Sequence, residues 1–303
     1  MKKILYILFF INIFNCNAQQ LPQLSLHTFD YAVFNPAANG TKPNSEVMLH
    51  HRSQWAGFSN APSTQFLTYN GKANETMGIG GNIMNDITGP TRRLAASVAY
   101  NYKIKFETFK LSVGLAAGIM QYGIDGNKIT LHENTDLAVA EHSSLKSIRP
   151  NIDFGTFLYT DKFSAGISIM QLLANKIKFK DDLINPEVKL ANHFYITSSY
   201  KIDLNERIKL QPSFMVGGAF GTPLIVDLGI KAEFQEKITA GISFRTKDAI
   251  VLMAGVKIKK LFTIAYAYDM VISKLRKYNS GSHDIILAFD IITKKVEKPA
   301  LYK

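Results

Sequence analysis

The feature that most constrains this chain is a two-residue alternation of side-chain size that recurs along most of its length. In residues 111–122, Leu, Val, Leu, Ala and Ile alternate with Ser, Gly, Ala, Gly and Met, and residues 163–170, 238–245 and 284–291 follow the same pattern. Successive side chains of a β-strand point to opposite faces, whereas a helical face repeats every 3.6 residues. The sequence therefore predicts strand after strand beyond about residue 44.

The small residues on the second face distinguish between two all-β folds. A soluble β-sandwich also alternates, but its core would need larger side chains and its solvated surface would need charge. A barrel with lipid outside and small or polar residues inside explains both faces. Apart from the extreme N-terminus, no segment approaches the roughly 18 apolar residues of a membrane helix. We therefore predict an all-β, transmembrane antiparallel β-barrel.

The lengths of the connections predict how the barrel is oriented. We predict about fourteen strands within residues 45–292, starting near residues 45, 64, 76, 92, 109, 151, 163, 193, 207, 223, 237, 249, 261 and 282. Links after even-numbered strands are short, and several links after odd-numbered strands are long. Outer-membrane barrels have short periplasmic turns and longer external loops. Both termini are therefore expected in the periplasm.

The N-terminus has the pattern of an export signal. Lys2 and Lys3 precede a short apolar core, and Cys16-Asn17-Ala18 resembles a cleavage site. Residues 1–18 are thus predicted to be a signal peptide cut after Ala18, which would leave a mature chain without cysteine and without thiolate sites. A lipoprotein acylated at Cys16 is the alternative.

Two further segments flank the predicted barrel. Residues 19–44 form a Pro/Asn-rich N-terminal segment that is expected to cross or plug the lumen, or to lie beneath it in the periplasm. Residues 293–303 form a basic periplasmic tail.

Charge and chemistry argue against several functions. The formal net charge of +11 fits nucleic acid, an anionic membrane or an acidic partner. However, Lys and Arg are scattered over turns and strand ends without a nucleic-acid motif, so no nucleic-acid partner is expected. No Ser/His/Asp arrangement or carboxylate pair can be assembled from the sequence. We therefore predict a non-enzyme with no catalytic residue, cofactor or metal.

The strongest metal candidates are histidines. His50 and His51 are adjacent on one predicted strand, so they point to opposite faces and cannot bind one ion together. His132, Glu133, Asp136, Glu141 and His142 share a long loop. They could bind a cation, but a solvated polar loop explains them as well. The glycines of residues 78–81 imitate a phosphate loop without a following helix, and they suit a strand facing a crowded interior.

Several short motifs stand one after another between about residue 30 and residue 291. They are Phe34-Asn35-Pro36-Ala37-Ala38-Asn39-Gly40, Arg52-Ser53-Gln54-Trp55-Ala56-Gly57-Phe58, Asn85-Asp86 with Gly89-Pro90, Tyr266-Ala267-Tyr268-Asp269, and Ser280-Gly281-Ser282-His283. With these motifs the chain resembles the PorP/SprF family of type IX secretion and gliding-motility membrane proteins of Bacteroidetes-type bacteria.

The resemblance implies an accessory part of the type IX export machinery in the outer membrane. Such a protein would contact outer-membrane lipid, a secreted cargo protein or adhesin C-terminal domain, and periplasmic ring subunits. It would help export or surface attachment of proteins such as adhesins, either generally or for one cargo. The alternative is an outer-membrane channel or porin for small solutes. A lumenal N-terminal segment would favour a closed, partner-gated barrel over a porin.

Barrel closure brings three motif-bearing links together on one rim, because the last strand pairs with the first. We predict a partner-binding rim there, since aromatic and Arg side chains dominate binding hot spots. Its residues are Arg52, Gln54, Trp55, Gly57, Phe58, Pro62, Asp86, Gly89, Pro90, Lys274, Arg276, Tyr278 and Gly281. In the alternative interpretation Trp55 belongs to an interfacial aromatic belt and the glycines only shape turns. An inverted topology would turn this rim towards the periplasm.

Overall fold

The computed structural model describes residues 21–129, 144–178 and 187–292. The predicted signal peptide and basic tail lie outside the described residues, as does the loop that contains His132, Glu133, Asp136, Glu141 and His142.

The described chain is built almost entirely of strands. They are β1 (Ser45–Ser53), β2 (Ser63–Lys72), β3 (Met77–Thr88), β4 (Thr91–Lys105), β5 (Lys110–Asp125), β6 (Ser144–Tyr159), β7 (Phe163–Met170), β8 (Lys176–Lys178), β9 (Glu187–Lys189), β10 (His193–Tyr200), β11 (Ile202–Asp203), β12 (Ile208–Ala219), β13 (Ile225–Phe234), β14 (Ile238–Arg245), β15 (Ala249–Ile258), β16 (Phe262–Val271) and β17 (Ser282–Ile291). Short 3-10 helices cover Tyr31–Val33, Pro36–Ala38, Gly126–Lys128 and Lys274–Lys277. Among the described residues, no helix is long and apolar enough to cross a membrane.

Fourteen of these strands form one closed antiparallel barrel, which confirms the predicted fold class. The barrel closes between β1 and β17, where Ser45 pairs with Ile291. The short β11 continues β10 along β12, and β8 and β9 form a separate hairpin. The predicted start of the sixth strand is wrong by seven residues, because β6 begins at Ser144 and includes Pro150 opposite Ile119. A proline is usual at the first residue of a strand, which made residue 151 look like the boundary.

The outward face of the barrel is apolar and the inward face is small or polar. Val98, Ile119 and Ile148 are 70%, 58% and 58% exposed, whereas Ser112, Ser168 and Ser243 on the other face are buried. Each Å² of apolar surface that remains in water forgoes about 25 cal/mol of burial free energy. A barrel with so many exposed apolar side chains therefore requires surrounding lipid.

The two ends of the barrel differ. One end, here called the turn end, carries the short links 73–76, 106–109, 160–162, 201–207, 235–237 and 259–261. It also holds residue 44, which leads into β1, and residue 292, which follows β17. The opposite end, here called the loop end, carries the links 54–62, 126–143, 171–192 and 272–281 among others. The outer-membrane rule predicts that the loop end faces outward.

Residues 21–44, here called the lumen segment, lie inside the barrel. Leu24, Leu26 and Ala37 are completely buried, and so are the polar Ser25 and Asp30. The segment contacts strands on every side, from β2 and β4 to β6, β7, β16 and β17. It therefore fills the lumen rather than lying beneath the barrel.

Candidate functional site: a filled lumen and a loop-side rim

The lumen segment is fastened to one wall by Asn35. The side chain of Asn35 caps the following 3-10 turn by accepting a hydrogen bond from Ala37 N at 2.9 Å. Its amide also donates to the backbone oxygen of Thr156 at 2.9 Å. This close approach requires a residue without a side chain at position 155, because a Cβ on Gly155 would collide with the Asn35 side chain. In the Asn-Pro pair, the Asn35 side chain thus both stabilises the following turn and binds the barrel wall.

The end of the same motif is gripped by β2 and β4. Asn101 donates to the backbone oxygen of Asn39 at 2.8 Å, and Lys103 donates to the backbone oxygen of Gly40 at 2.6 Å. The Gly40 N–H in turn donates to the Asn70 side chain at 2.6 Å. Gly40 has φ +65, a conformation that suits glycine. These buried contacts satisfy backbone groups that would otherwise be costly to hold in the lumen.

Glycines of β3 and β5 make room for this backbone. An added Cβ on Gly80 would strike the Asn39 side chain, and one on Gly114 would lie 2.5 Å from Ala37 N. The crowded interior predicted from the glycines around residue 80 is therefore occupied by the chain's own N-terminal segment.

A charged cluster holds the other half of the lumen segment near the loop end. Arg52 and Arg245, from opposite flanks of the seam, donate to Ser25 Oγ at 2.8 and 3.0 Å. Both also reach Asp269 Oδ2, at 2.7 and 3.0 Å. The backbone N–H of Ser25 donates to Asp284 at 2.7 Å. All five residues are at most 2% exposed, so each charge depends on its partners.

A second buried acid anchors the middle of the lumen segment. Thr68 donates to Asp30 Oδ2 at 2.8 Å, and His50 Nε2 lies 3.4 Å from the same oxygen. His50 is fully buried while His51 is exposed on the outer face. The two histidines therefore point to opposite faces. Among the described residues, no group of three His, Cys, Asp or Glu side chains is placed to hold a metal ion.

The lumen segment runs the full height of the barrel. Residue 44 lies at the turn end, whereas Leu21 N donates to His193 Nε2 at 3.1 Å, at the loop-end start of β10. Small cavities remain between the segment and the walls around β2 to β7, among them two of about 20 and 60 Å³. The larger one is lined by Pro22, Phe34 and Met120 among others.

The structure joins the three rim links by backbone hydrogen bonds. Ala56 N donates to Gly281 O, and Ser280 N donates to Ala56 O, both at 2.8 Å. On the other side, Gly89 N donates to Asn60 O at 3.1 Å. The links 54–62, 89–90 and 272–281 thus form one continuous surface, here called the seam rim.

The predicted rim residues do not all lie on that surface. The prediction that Arg52 and Asp86 belong to the rim surface is wrong, because they are only 2% and 3% exposed and point into the lumen. Asp86 pairs there with Arg93 at 2.6 Å and accepts from Thr64. Strand alternation explains the difference, since both residues share a face with lumenal neighbours.

The remaining predicted rim residues divide into a support and an exposed crest. Gly57, Gly89 and Gly281 have positive φ values of 101, 57 and 95, so they shape the links. Gln54 N donates to Pro62 O, Trp55 N donates to Ser282 Oγ, and Pro90 O accepts from Asp125 N. Phe58, Lys274, Arg276 and Tyr278 are exposed, with Tyr278 at 69%.

Sequence reasoning missed the lumenal receptors of the N-terminal segment. Asn70, Asn101, Lys103, Arg245 and Asp284 are scattered through the sequence and belong to no motif. The only sequence signal was a polar residue at an inward position of an otherwise small face, which fits a lining residue equally well.

The fold and its filled lumen define a class: an antiparallel outer-membrane β-barrel closed by its own N-terminal segment. A family model described as type IX secretion system membrane protein PorP/SprF matches residues 16–289. The chain therefore belongs to the PorP/SprF family.

Two solved structures with a TM-score of 0.50 support the fold, and the fold alone. The Ralstonia pickettii toluene transporter TbuX is 11% identical, with 84% of this chain and 91% of that chain covered and a TM-score of 0.50. A mutant of the monoaromatic hydrocarbon channel TodX is 10% identical, over 86% and 94% of the two chains, with a TM-score of 0.50. A Pseudomonas aeruginosa FadL homologue is 12% identical, over 86% and 92%, with a TM-score of 0.47. No curated protein sequence matches this chain.

Proposed function

We propose that this protein is a non-catalytic outer-membrane component of type IX secretion that helps the export or surface attachment of secreted proteins such as adhesins. It would do so by binding a cargo protein, or its C-terminal domain, at the seam rim. The observation that carries this proposal is the contrast between a lumen filled by buried, hydrogen-bonded chain and a rim with an exposed crest.

The filled lumen argues against cargo passing through this barrel. The two cavities described above, of about 20 and 60 Å³, have room for only a few water molecules. A polypeptide would first have to displace residues 21–44, which means breaking the contacts of Asn35, Asp30 and Ser25 with the walls. A binding role outside the lumen requires none of this.

The chemistry of the crest suits protein recognition. Phe58 and Tyr278 offer apolar and aromatic area, and Lys274 and Arg276 offer charge beside it. Aromatic and Arg side chains supply most of the energy in binding hot spots. The backbone hydrogen bonds between the links hold the crest in one arrangement, which lowers the entropy lost on binding. Periplasmic ring subunits would meet the opposite, turn end.

The test is deletion of the gene, followed by quantitative proteomics of the cell surface and medium. The strain is complemented with wild type, with Phe58→Ala/Tyr278→Ala, and with Phe154→Ala/Tyr100→Ala as a matched control on the lipid-facing surface, where both side chains are exposed. Loss of one or a few large surface proteins would identify a cargo-specific partner, and collapse of the secreted set would identify a general component. The rim variant should reproduce the loss and the control should not. An unchanged secretome would overturn the proposal.

A small-solute channel is the second candidate, favoured by the cavities beside β2 to β7. It predicts steady conductance of the wild-type barrel in planar bilayers. The closed-lumen account predicts no steady conductance until the lumen segment leaves.

A further inference from the structure

A band of polar side chains crosses the outward face of the barrel at the loop end. It consists of His51 on β1, Gln65 on β2, Asn85 on β3, Arg92 on β4 and Lys146 on β6, here called the polar band. Each residue lies two positions beyond an exposed apolar side chain of its own strand: Leu49, Leu67, Ile83, Leu94 and Ile148. The band therefore marks the outer edge of the lipid-facing apolar surface.

Hydrogen bonds order most of this band. Arg92 Nε donates to Asn85 Oδ1 at 2.8 Å, and Asn85 Nδ2 donates to Gln65 Oε1 at 2.5 Å. The Gln65 amide lies 3.3 Å from His51 Nδ1. The guanidinium is thereby held against the barrel wall rather than extended into solvent.

A gap without a side chain separates the two cations of the band. Arg92 pairs with Gly123 of β5, and Gly123 pairs with Lys146. Neighbouring strands lie about 4.8 Å apart, so the two Cα atoms are about 10 Å apart with a glycine floor between them. Within the described part of the chain, neither cation has a carboxylate partner.

The cations and amides of the band lie on one side of the barrel, and His283 of β17 continues the polar surface next to β1. On the far side, outward positions near the loop end carry no cation or amide: Phe220, Leu224, Phe244 and Met270 are each more than 40% exposed, and the Thr246 hydroxyl accepts a hydrogen bond from Val226 N. If the polar residues were simply the usual level of the membrane interface, they would encircle the barrel. The concentration of cations and amides on β1–β6 therefore indicates a local ligand.

We propose that the polar band binds the phosphate-bearing sugar headgroup of an outer-leaflet lipid, with the phosphate between Arg92 and Lys146. A cation costs about 2–4 kcal/mol on the lipid face at the midplane but little near the interface, where a phosphate makes strong charge-assisted hydrogen bonds with it. The amides of Gln65 and Asn85 suit sugar hydroxyls. The acyl chains would lie on the apolar side chains below. This proposal uses the outward orientation of the loop end and is independent of the seam rim.

The test measures lipid retention by native mass spectrometry of the purified full chain, with bisphosphorylated lipid A and with its dephosphorylated form as probes. Wild type should retain the phosphorylated lipid preferentially. Arg92→Gln/Lys146→Gln should lose about tenfold in affinity, the amount expected for charged hydrogen bonds. Arg207→Gln/Lys237→Gln removes the same charges from exposed turn-end positions and should bind as wild type does.

A second variant blocks the gap while keeping both cations. A side chain at Gly123 would meet only the backbone oxygens of Arg92 and Leu145, at 3.7 and 3.8 Å. Gly123→Glu should therefore fold and place its carboxylate where the phosphate would sit, with a loss at least as large. Equal retention of both lipids by wild type, or unchanged binding in both variants, would overturn the proposal. If a co-purifying protein is lost instead of lipid, the band is a protein interface and the proposal is wrong.

Discussion

Arg245 ties the barrel wall to the lumen segment, and its replacement should release that segment. The guanidinium is completely buried and contacts Asp227 at 3.2 Å, Asp269 at 3.0 Å and Ser25 at 3.0 Å. Arg245→Met removes all of these contacts at once. Asp269 retains Arg52, but Asp227 is left without an ion-pair partner among the described residues.

The size of the effect follows from the lone carboxylate. Breaking a buried ion pair by removing one partner costs about 3–5 kcal/mol. Departure of the lumen segment would admit water to Asp227 while preserving every strand-to-strand hydrogen bond. It is therefore a less costly way to hydrate the unpaired carboxylate than unfolding of the barrel. The equilibrium between filled and vacated lumen should therefore shift roughly 100- to 4,000-fold.

Conductance in planar bilayers measures this shift. Wild type should remain closed and Arg245→Met should open frequently. Arg245→Met/Asp227→Asn should close again in part, because no fully buried charge is left unpaired; Asp248, which also loses Arg245, has a side chain that is 25% exposed. Heat-modifiable migration in gels serves as the control that the barrel is folded. A closed Arg245→Met variant, or an unrescued double variant, would refute the reasoning.

Three further perturbations test other parts of the account. Gly114→Ala adds a methyl group 2.5 Å from Ala37 N and should open the lumen, whereas Gly81→Ala, whose nearest neighbour is 3.9 Å away, should behave as wild type in the same conductance assay; equal behaviour of the two would contradict the close packing. Val98→Lys places a cation on the lipid face, where Val98 is 70% exposed. It should cost about 2–4 kcal/mol in urea unfolding from lipid vesicles, and an unchanged midpoint would argue against a lipid-facing surface. Asn35→Ala removes a cap and a wall contact, with an expected cost of about 1–2 kcal/mol. Proteolysis of residues near 21–44 should become faster, and equal rates would show that Asn35 holds nothing.

The barrel was predictable because its signal is local and repeated. Alternation places Val98 and Ile119 outside and their neighbours inside, and it also fixes the register, because a slip of one residue would exchange the two faces. The start of β6 was missed because Pro150 interrupts the pattern that continues on either side of it. Link lengths were sufficient to recognise two unlike ends.

The interior of the lumen was much less predictable. Arg52 belongs to a motif whose other members lie on the seam rim, but strand parity turns its side chain inward. Its partners Ser25, Asp269 and Asp284 are 27, 217 and 232 residues away in the sequence. Contacts of this kind form only when the barrel closes around the lumen segment, so no local sequence pattern predicts them.

Site-specific photo-crosslinking in actively secreting cells tests the central claim most directly. A photoreactive amino acid would replace Tyr278 on the exposed crest, Ser97 beside the lumenal cavities, or Val98 on the lipid face as a control. We predict crosslinks from Tyr278 to secreted proteins or to other subunits of the machinery, and none to protein partners from Ser97 or Val98. Crosslinks to cargo from Ser97 would show that secreted chains pass through the lumen, and would contradict the account.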